Sequence, residues 1–296
     1  MNKLNSLRQK PAIKLGLYLL KFGISFFILW RIAAKVDLGL ALTGISALSL
    51  LTILLVLLIT ILRHICQYFN WMYALKINPD FNADGRDVLN SYMIGLPLRF
   101  AIPGGHASVA KIFYVSNSSR IASLWSTALE RGFMTWSSWC FTAAAGLFFY
   151  TQYTPWLFIG LFLLCLMIPE FIKIILSWRQ DWAALRQSYN LYAPRMLVLQ
   201  VANSLLTYLQ YWLILNSFLP ISRWETWLRM ALTQFSNTIP ITVGGLGLRE
   251  GFAIHFLKGA GFTAEQAVSA TLSLFIIQDI LPALLGIYFL ARTSRK

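Results

Sequence analysis

Long apolar runs, separated by short polar or broken stretches, dominate this chain. A helix needs about 20 apolar residues to cross about 30 Å of hydrocarbon, and six runs approach that length. They lie at about residues 15–34, 45–62, 124–149, 156–176, 196–218 and 264–290. The pattern predicts an all-α polytopic membrane protein with about six spanning helices.

Two further stretches are helical in pattern but too short or too interrupted to span. The first, residues 88–98, is followed by a Pro-Gly-Gly sequence and an amphipathic piece at 107–115. The second, residues 224–238, is followed by Pro240, a glycine-rich loop and a new helix beginning near Leu248. Lipid cannot satisfy the backbone amides that such breaks expose. We therefore predict two re-entrant hairpins whose broken ends are surrounded by protein or face a polar cavity.

The order of these elements predicts two related halves, about residues 12–150 and 155–292, within one transmembrane domain. Each half has three spans, with a broken stretch after the second. Because three is odd, the second half is inserted upside down relative to the first. Transporters built from such inverted repeats bind their substrate where broken helices of the two halves meet.

Composition and charge support a membrane protein and predict its orientation. The chain of 296 residues is 57% hydrophobic and 12% charged, whereas about a quarter of residues are charged in soluble domains. The net charge of +14 predicts basic cytoplasmic segments facing anionic lipid rather than a nucleic-acid partner. The basic segments include both termini, so both are expected in the cytoplasm, with the N-terminal run retained as a first span.

The sequence offers little for catalysis, metal binding or cofactor binding. The three cysteines lie in apolar runs without paired spacing, and the three histidines show no metal-binding spacing. The eleven acidic residues are too dispersed to reveal a catalytic cluster. We expect no metal, no cofactor and no enzymatic activity.

The strongest candidate residues are Arg249 and Glu250, just after the second break. An ionisable residue at membrane depth is costly and marks a functional site by default. We predict that Arg249 binds a phosphate, oriented by Glu250 and assisted by backbone amides of the glycine loop. Those glycines are Gly244, Gly245 and Gly247. The alternative is an interfacial salt bridge that only fixes the loop.

Other polar residues in or beside apolar runs form a second group of candidates. Arg99, Lys111 and Asn237 are predicted to contact the same headgroup. The alternative for Arg99 and Lys111 is a cytoplasmic-face charge, which is the preferred interpretation for Lys111. The residues Glu130, Arg131, Gln278 and Asp279 are candidate gating groups. An ion pair from Asp279 to a cation of the other half is expected to gate the cavity or carry protons. Structural polar contacts between helices are the alternative.

Residues 240–251, P-I-T-V-G-G-L-G-L-R-E-G, resemble the signature of the flippase-like family of the lysylphosphatidylglycerol synthetase transmembrane region. Glu130-Arg131 resembles that family's acidic-Arg pair. In the first half, Pro103, Gly104 and Lys111 match a family pattern P-G-R-x-G-E-x-x-K/R. Three positions depart from it, with glycine at 105, alanine at 107 and serine at 108.

The resemblance implies movement or binding of a lipid in a bacterial or archaeal cytoplasmic membrane. We expect an anionic phospholipid or lipid-linked intermediate as the ligand. Two alternatives are a membrane-embedded transferase acting on a lipid-linked substrate and a non-transporting lipid-binding partner of an envelope biosynthetic enzyme.

Overall fold

The computed structural model describes residues 38–101, 103–152, 155–239 and 245–292, and every regular element in these ranges is helical. The first predicted span lies outside them. The α-helices are α1 (Leu38–Ser46), α2 (Leu50–Lys76), α3 (Gly85–Leu98), α4 (Arg120–Phe149), α5 (Pro155–Ser177), α6 (Ala183–Phe218), α7 (Arg223–Gln234), α8 (Leu248–Lys258), α9 (Ala264–Phe275) and α10 (Leu281–Arg292). This confirms the prediction of an all-α polytopic membrane protein.

Four described helical stretches are long and apolar enough to cross a membrane. They are Leu50–Lys76, Pro155–Ser177, Gln180–Phe218 and Ala264–Arg292. The predicted third span forms the 30-residue helix α4 but is not among them. Helix α4 buries several polar side chains, including Ser126, Glu130 and Ser137. These polar groups lower its hydropathy, and their burial shows that much of α4 packs against protein.

Helix α2 corrects a predicted boundary. We expected the second span to end at Arg63-His64, but the helix continues to Lys76. Its first half exposes leucines such as Leu51 and Leu58, as a lipid-facing helix does. Its second half buries Trp71 and Leu75. Arg63 and His64 therefore lie in the middle of a continuous helix.

Both predicted breaks are present. In the first, α3 carries Pro97 in its last turn and is followed by a 3₁₀-helix, Pro103–Tyr114. In the second, α7 continues into a short 3₁₀-helix, Phe235–Thr238, and the chain becomes α-helical again at Leu248. Pro240 and Gly244 lie outside the described residues. The last predicted span is also modified, because a π-helical turn, Ile276–Ile280, joins α9 to α10.

Helices that are distant in the sequence pack against each other. Helix α2 packs along α6, α3 packs against α10, and α7 packs against α4. Each broken segment thus contacts the last long helix of the other predicted half. The division into halves and their opposite insertion stay predictions. The packing leaves a cavity between the two broken segments.

Candidate functional site

The cavity has a volume of about 410 Å³ and is bordered by both broken segments. Nine of the predicted residues line it: Arg99, Lys111, Glu130, Arg131, Asn237, Gly245, Arg249, Gln278 and Asp279. Gly247 and Glu250 are not in the lining, and Gly244 lies outside the described residues. Tertiary packing therefore brings together residues that are separated by up to 180 positions in the chain.

One ion pair joins the first broken segment to the last helix. The Arg99 guanidinium, just after α3, binds the Asp279 carboxylate in the π-helical turn. The side chain of Arg99 is 32% exposed and that of Asp279 is 12% exposed, so the pair borders the cavity. Arg99 was predicted as a headgroup ligand and Asp279 as a gating group. The structure shows that the two contact each other.

A second ion pair is more deeply buried. The Lys111 ammonium, in the first 3₁₀-helix, binds the Glu130 carboxylate of α4, and both side chains are less than 10% exposed. Lys111 Nζ also lies 3.6 Å from the ring centroid of Trp71, a distance typical of a cation–π contact. Lys111 is therefore no cytoplasmic-face charge in contact with water. The neighbouring Arg131 donates to the Ser108 hydroxyl.

The Arg249-Glu250 pair is buried at the start of α8. Arg249 Nη2 donates to Glu250 Oε1 at 2.9 Å, and the guanidinium carbon lies 5.0 Å from the Phe275 ring centroid. Glu250 Oε2 accepts the Gly247 backbone N–H at 2.6 Å, which caps the helix start. Glu250 thus holds both the helix terminus and Arg249, while Arg249 borders the cavity.

The glycines of the second break have conformations that other residues rarely adopt. Gly245 has φ +78° and Gly247 has φ +85°, the left-handed region in which a Cβ is strained. A Cβ on Gly245 would also lie 2.5 Å from the Asn237 amide oxygen. Glycine at these two positions therefore permits the left-handed backbone that directly precedes α8.

Three residues that we did not predict from the sequence also line the cavity: Arg63, His64 and Tyr92. His64 Nδ1 lies 2.7 Å from the Tyr92 hydroxyl, and His64 Nε2 lies 3.3 Å from the Gln278 carbonyl. Because a carbonyl only accepts, Nε2 carries the hydrogen and Nδ1 accepts from the tyrosine. His64 thereby links α2, α3 and the π-helical turn. The signal was an Arg-His pair within an otherwise apolar run, which we interpreted as a helix end.

Arg63 differs from three of the other cavity cations. Its buried Nε has no hydrogen-bond partner within the described ranges. Arg99, Lys111 and Arg249 are each bound by a carboxylate. Within the described ranges, the Arg63 guanidinium therefore has hydrogen-bonding capacity that no carboxylate uses.

An uncharged polar surface forms another wall of the cavity. Four of its residues, Gln200, Asn203, Ser204 and Thr207, come from α6. Their spacing of three and four places them on one face of the helix. The Gln200 amide exchanges hydrogen bonds with Gln67 of α2 at 3.3 and 3.4 Å. Hydrogen-bonding groups thus extend well beyond the charged cluster.

The charge of the described lining is positive. It contains Arg63, Arg99, Lys111, Arg131 and Arg249 against Glu130 and Asp279. In surroundings of low polarity, such an excess strongly favours an anion. The fold and the cavity define a multi-pass membrane protein with an internal, cation-rich site.

Comparison with known proteins agrees with this class. The sequence matches the family described as the lysylphosphatidylglycerol synthase TM region over residues 18–286, and the chain belongs to that family. Among curated proteins, none matches this sequence. Family membership associates the chain with lipid-related processes at a membrane.

Proposed function

We propose that this protein binds an anionic phospholipid by its headgroup in the internal cavity and moves it between the two leaflets. The observation that carries the proposal is the cavity's charge. Five cationic side chains line it against two carboxylates, and Glu250 behind Arg249 is a third carboxylate. Cations are still in excess, and all three carboxylates are already ion-paired. The anionic headgroup of a phospholipid would offset this excess of positive charge, while the acyl chains of the lipid remain in the surrounding bilayer.

The size and position of the cavity also support a lipid headgroup. A volume of about 410 Å³ falls within the range of roughly 300–1,000 Å³ that is usual for small-molecule sites. The cavity lies between helices that expose large apolar side chains to lipid, such as Leu58 of α2 and Leu205 of α6. A phosphate held here would be at membrane depth, where crossing is otherwise most costly.

The arrangement of charges suggests how the lipid moves. A headgroup phosphate would bind Arg63, which lines the same cavity as the Arg99–Asp279 pair. It would then compete with Asp279 for Arg99. Loss of that ion pair would remove one link between the end of α3 and the π-helical turn. It would thereby favour movement of the first broken segment relative to the last helix. The lipid thus shifts the conformational equilibrium through its own binding.

A membrane-embedded transferase is the second candidate, and the site supports it less well. Acid–base chemistry needs a carboxylate or histidine poised to exchange a proton with the substrate. Glu130 and Asp279 are bound by cations, and both ring nitrogens of His64 are hydrogen-bonded within the protein. A non-transporting lipid-binding partner of a biosynthetic enzyme would share the cavity and differ only in lacking exchange activity.

We propose that the protein resides in a bacterial or archaeal cytoplasmic membrane, with both termini on the cytoplasmic side. The supporting observation is the distribution of basic residues. The N-terminal segment, the segment 179–195 and the C-terminus are all basic, and cytoplasmic loops carry such residues preferentially. Single cysteines introduced near each terminus of a cysteine-free variant, labelled from either side of intact cells, test this orientation.

Lipid exchange in liposomes tests the function. Purified protein is reconstituted with fluorescent phosphatidylglycerol, and a membrane-impermeant reductant quenches the outer-leaflet label. We expect exchange with the wild-type protein and a loss of about tenfold or more in Arg63→Gln, because a hydrogen bond to a charged group contributes about 1.5–3 kcal/mol. Arg86→Gln, at an exposed position on α3, is the matched control and should exchange at the wild-type rate.

The other outcomes identify the alternatives. Exchange that is absent in wild-type liposomes, or unaffected in both Arg63→Gln and Arg249→Lys, overturns the proposal. A new lipid product detected by mass spectrometry would indicate the transferase. Stable lipid binding without exchange, together with a co-purifying biosynthetic enzyme, would indicate the non-transporting partner.

A further inference from the structure

The uncharged wall of the cavity narrows the class of headgroup, on the assumption that the proposed function holds. Gln200, Asn203, Ser204 and Thr207 give α6 a polar stripe at membrane depth. Polar groups facing the interior of a membrane protein are normally matched by other polar groups. One side of the cavity offers cations to a ligand. The α6 side offers hydroxyl and amide groups.

Most of this stripe is partly satisfied within the protein, but one group is not. Ser204 lies 2.8 Å from the Ser137 hydroxyl, and the Thr207 hydroxyl donates to the Asn203 backbone carbonyl at 2.8 Å. The Asn203 side chain is 8% exposed, and its amide oxygen is buried with no hydrogen-bond partner within the described ranges. A buried acceptor of this kind costs stability unless a donor reaches it. A ligand hydroxyl is such a donor.

Among the described residues, the cavity holds no carboxylate that is free of an ion pair. All but Asp37 of the eleven acidic residues lie in the described ranges. Of these, Glu130 and Asp279 line the cavity. Glu130 is bound by Lys111, and Asp279 is bound by Arg99. Even when a phosphate displaces Asp279 from Arg99, the described lining holds more cations than carboxylates. A headgroup ammonium would therefore meet an excess of positive charge, which is unfavourable.

We propose that the headgroup recognised here combines a phosphate with hydroxyl groups and carries no ammonium. The phosphate lies on the side of Arg63, and the hydroxyls lie on the side of Asn203. Glycerol or sugar headgroups on a phosphodiester meet this description. Ethanolamine-type and aminoacylated headgroups do not.

Three phospholipids with identical acyl chains test the proposal. Phosphatidylglycerol carries one negative charge and two hydroxyls, phosphatidylpropanol carries the same charge without hydroxyls, and phosphatidylethanolamine carries an ammonium. Each competes with labelled phosphatidylglycerol for wild-type protein in nanodiscs. We expect phosphatidylglycerol to compete about five to ten times better than phosphatidylpropanol, and phosphatidylethanolamine to compete weakest.

A variant assigns the effect to Asn203. Asn203→Leu should bind phosphatidylglycerol no better than phosphatidylpropanol, with phosphatidylpropanol binding unchanged. Asn190→Leu, at an exposed position on the same helix, should retain the wild-type preference. The lipid series with wild-type protein tests the preference independently of whether Asn203→Leu folds.

The outcomes separate this inference from the function on which it rests. Equal competition by phosphatidylglycerol and phosphatidylpropanol overturns the hydroxyl requirement, and strong competition by phosphatidylethanolamine overturns the exclusion of ammonium. In both cases the lipid site itself survives. Absence of binding by all three lipids overturns the proposed function. Soluble glycerol phosphate that competes as well as phosphatidylglycerol would support the headgroup chemistry but overturn a lipid as its source.

Discussion

Arg99 and Asp279 form an ion pair that connects the end of α3 to the π-helical turn between α9 and α10. These residues are 180 positions apart in the chain and meet at the border of the cavity. A π-helical turn changes the direction of the side chains around it and is frequent at functional sites. The pair therefore couples the contents of the cavity to the contact between two helices.

Replacing Asp279 with asparagine should separate lipid binding from lipid exchange. The change removes the competitor for Arg99, so an anionic headgroup should be retained more strongly and released more slowly. We expect the amount of co-purified anionic phospholipid to rise, measured by mass spectrometry, and the exchange rate in liposomes to fall. Asp181→Asn, at an exposed position, should change neither. Reduced lipid retention in Asp279→Asn would contradict this interpretation.

The Lys111–Glu130 pair should be important for stability. Glu130→Gln leaves a buried ammonium without its counter-charge, and breaking such a pair costs about 3–5 kcal/mol. Thermal unfolding in detergent should show a large loss. Glu170→Gln, which breaks the exposed pair with Lys173, should cost at most about 1 kcal/mol. The double variant Lys111→Met/Glu130→Leu should be more stable than Glu130→Gln, and failure to recover stability would argue against an uncompensated charge as the cause.

Close packing between α3 and α10 should depend on Gly286. A Cβ at this position would clash with the Met93 carbonyl oxygen and lie 2.5 Å from Pro97 Cδ. Gly286→Ala should therefore force the helices apart and cost about 1–3 kcal/mol. Gly160→Ala is the control, because a Cβ there meets no atom within 4 Å. It should leave stability unchanged or raise it slightly. Equal unfolding temperatures for the two variants would contradict the close contact.

The turn before α8 should require glycine at position 245. Gly245→Ala introduces strain at φ +78° and a contact with Asn237, and a left-handed conformation alone costs a non-glycine residue about 1–2 kcal/mol. Adding Asn237→Ala should relieve the contact but not the backbone strain, so stability should recover only in part. Gly251→Ala, where a Cβ meets nothing within 4 Å, is the control. Full recovery in the double variant would show that backbone strain contributes little.

Much of the architecture follows from the sequence, because hydropathy reports the transfer free energy of a stretch of chain. The hydropathy pattern predicted the helical membrane fold, and its interruptions predicted the two breaks and the start of α8. Local motif chemistry indicated Arg249 and the glycines around it. Proline and glycine act within a few residues, so their consequences can be interpreted without knowing the fold.

Tertiary structure decided which polar residues share a site and which charges remain available to a ligand. Arg63-His64 was interpreted as a helix end because a charge in an apolar run usually marks one. In the fold it lies mid-helix, since neighbouring helices supply a polar cavity there. The partners of Arg99 and Lys111 were likewise fixed by packing between distant segments. Whether a buried charge is tolerated, and whether it is free to bind, depends on neighbours that no local pattern contains.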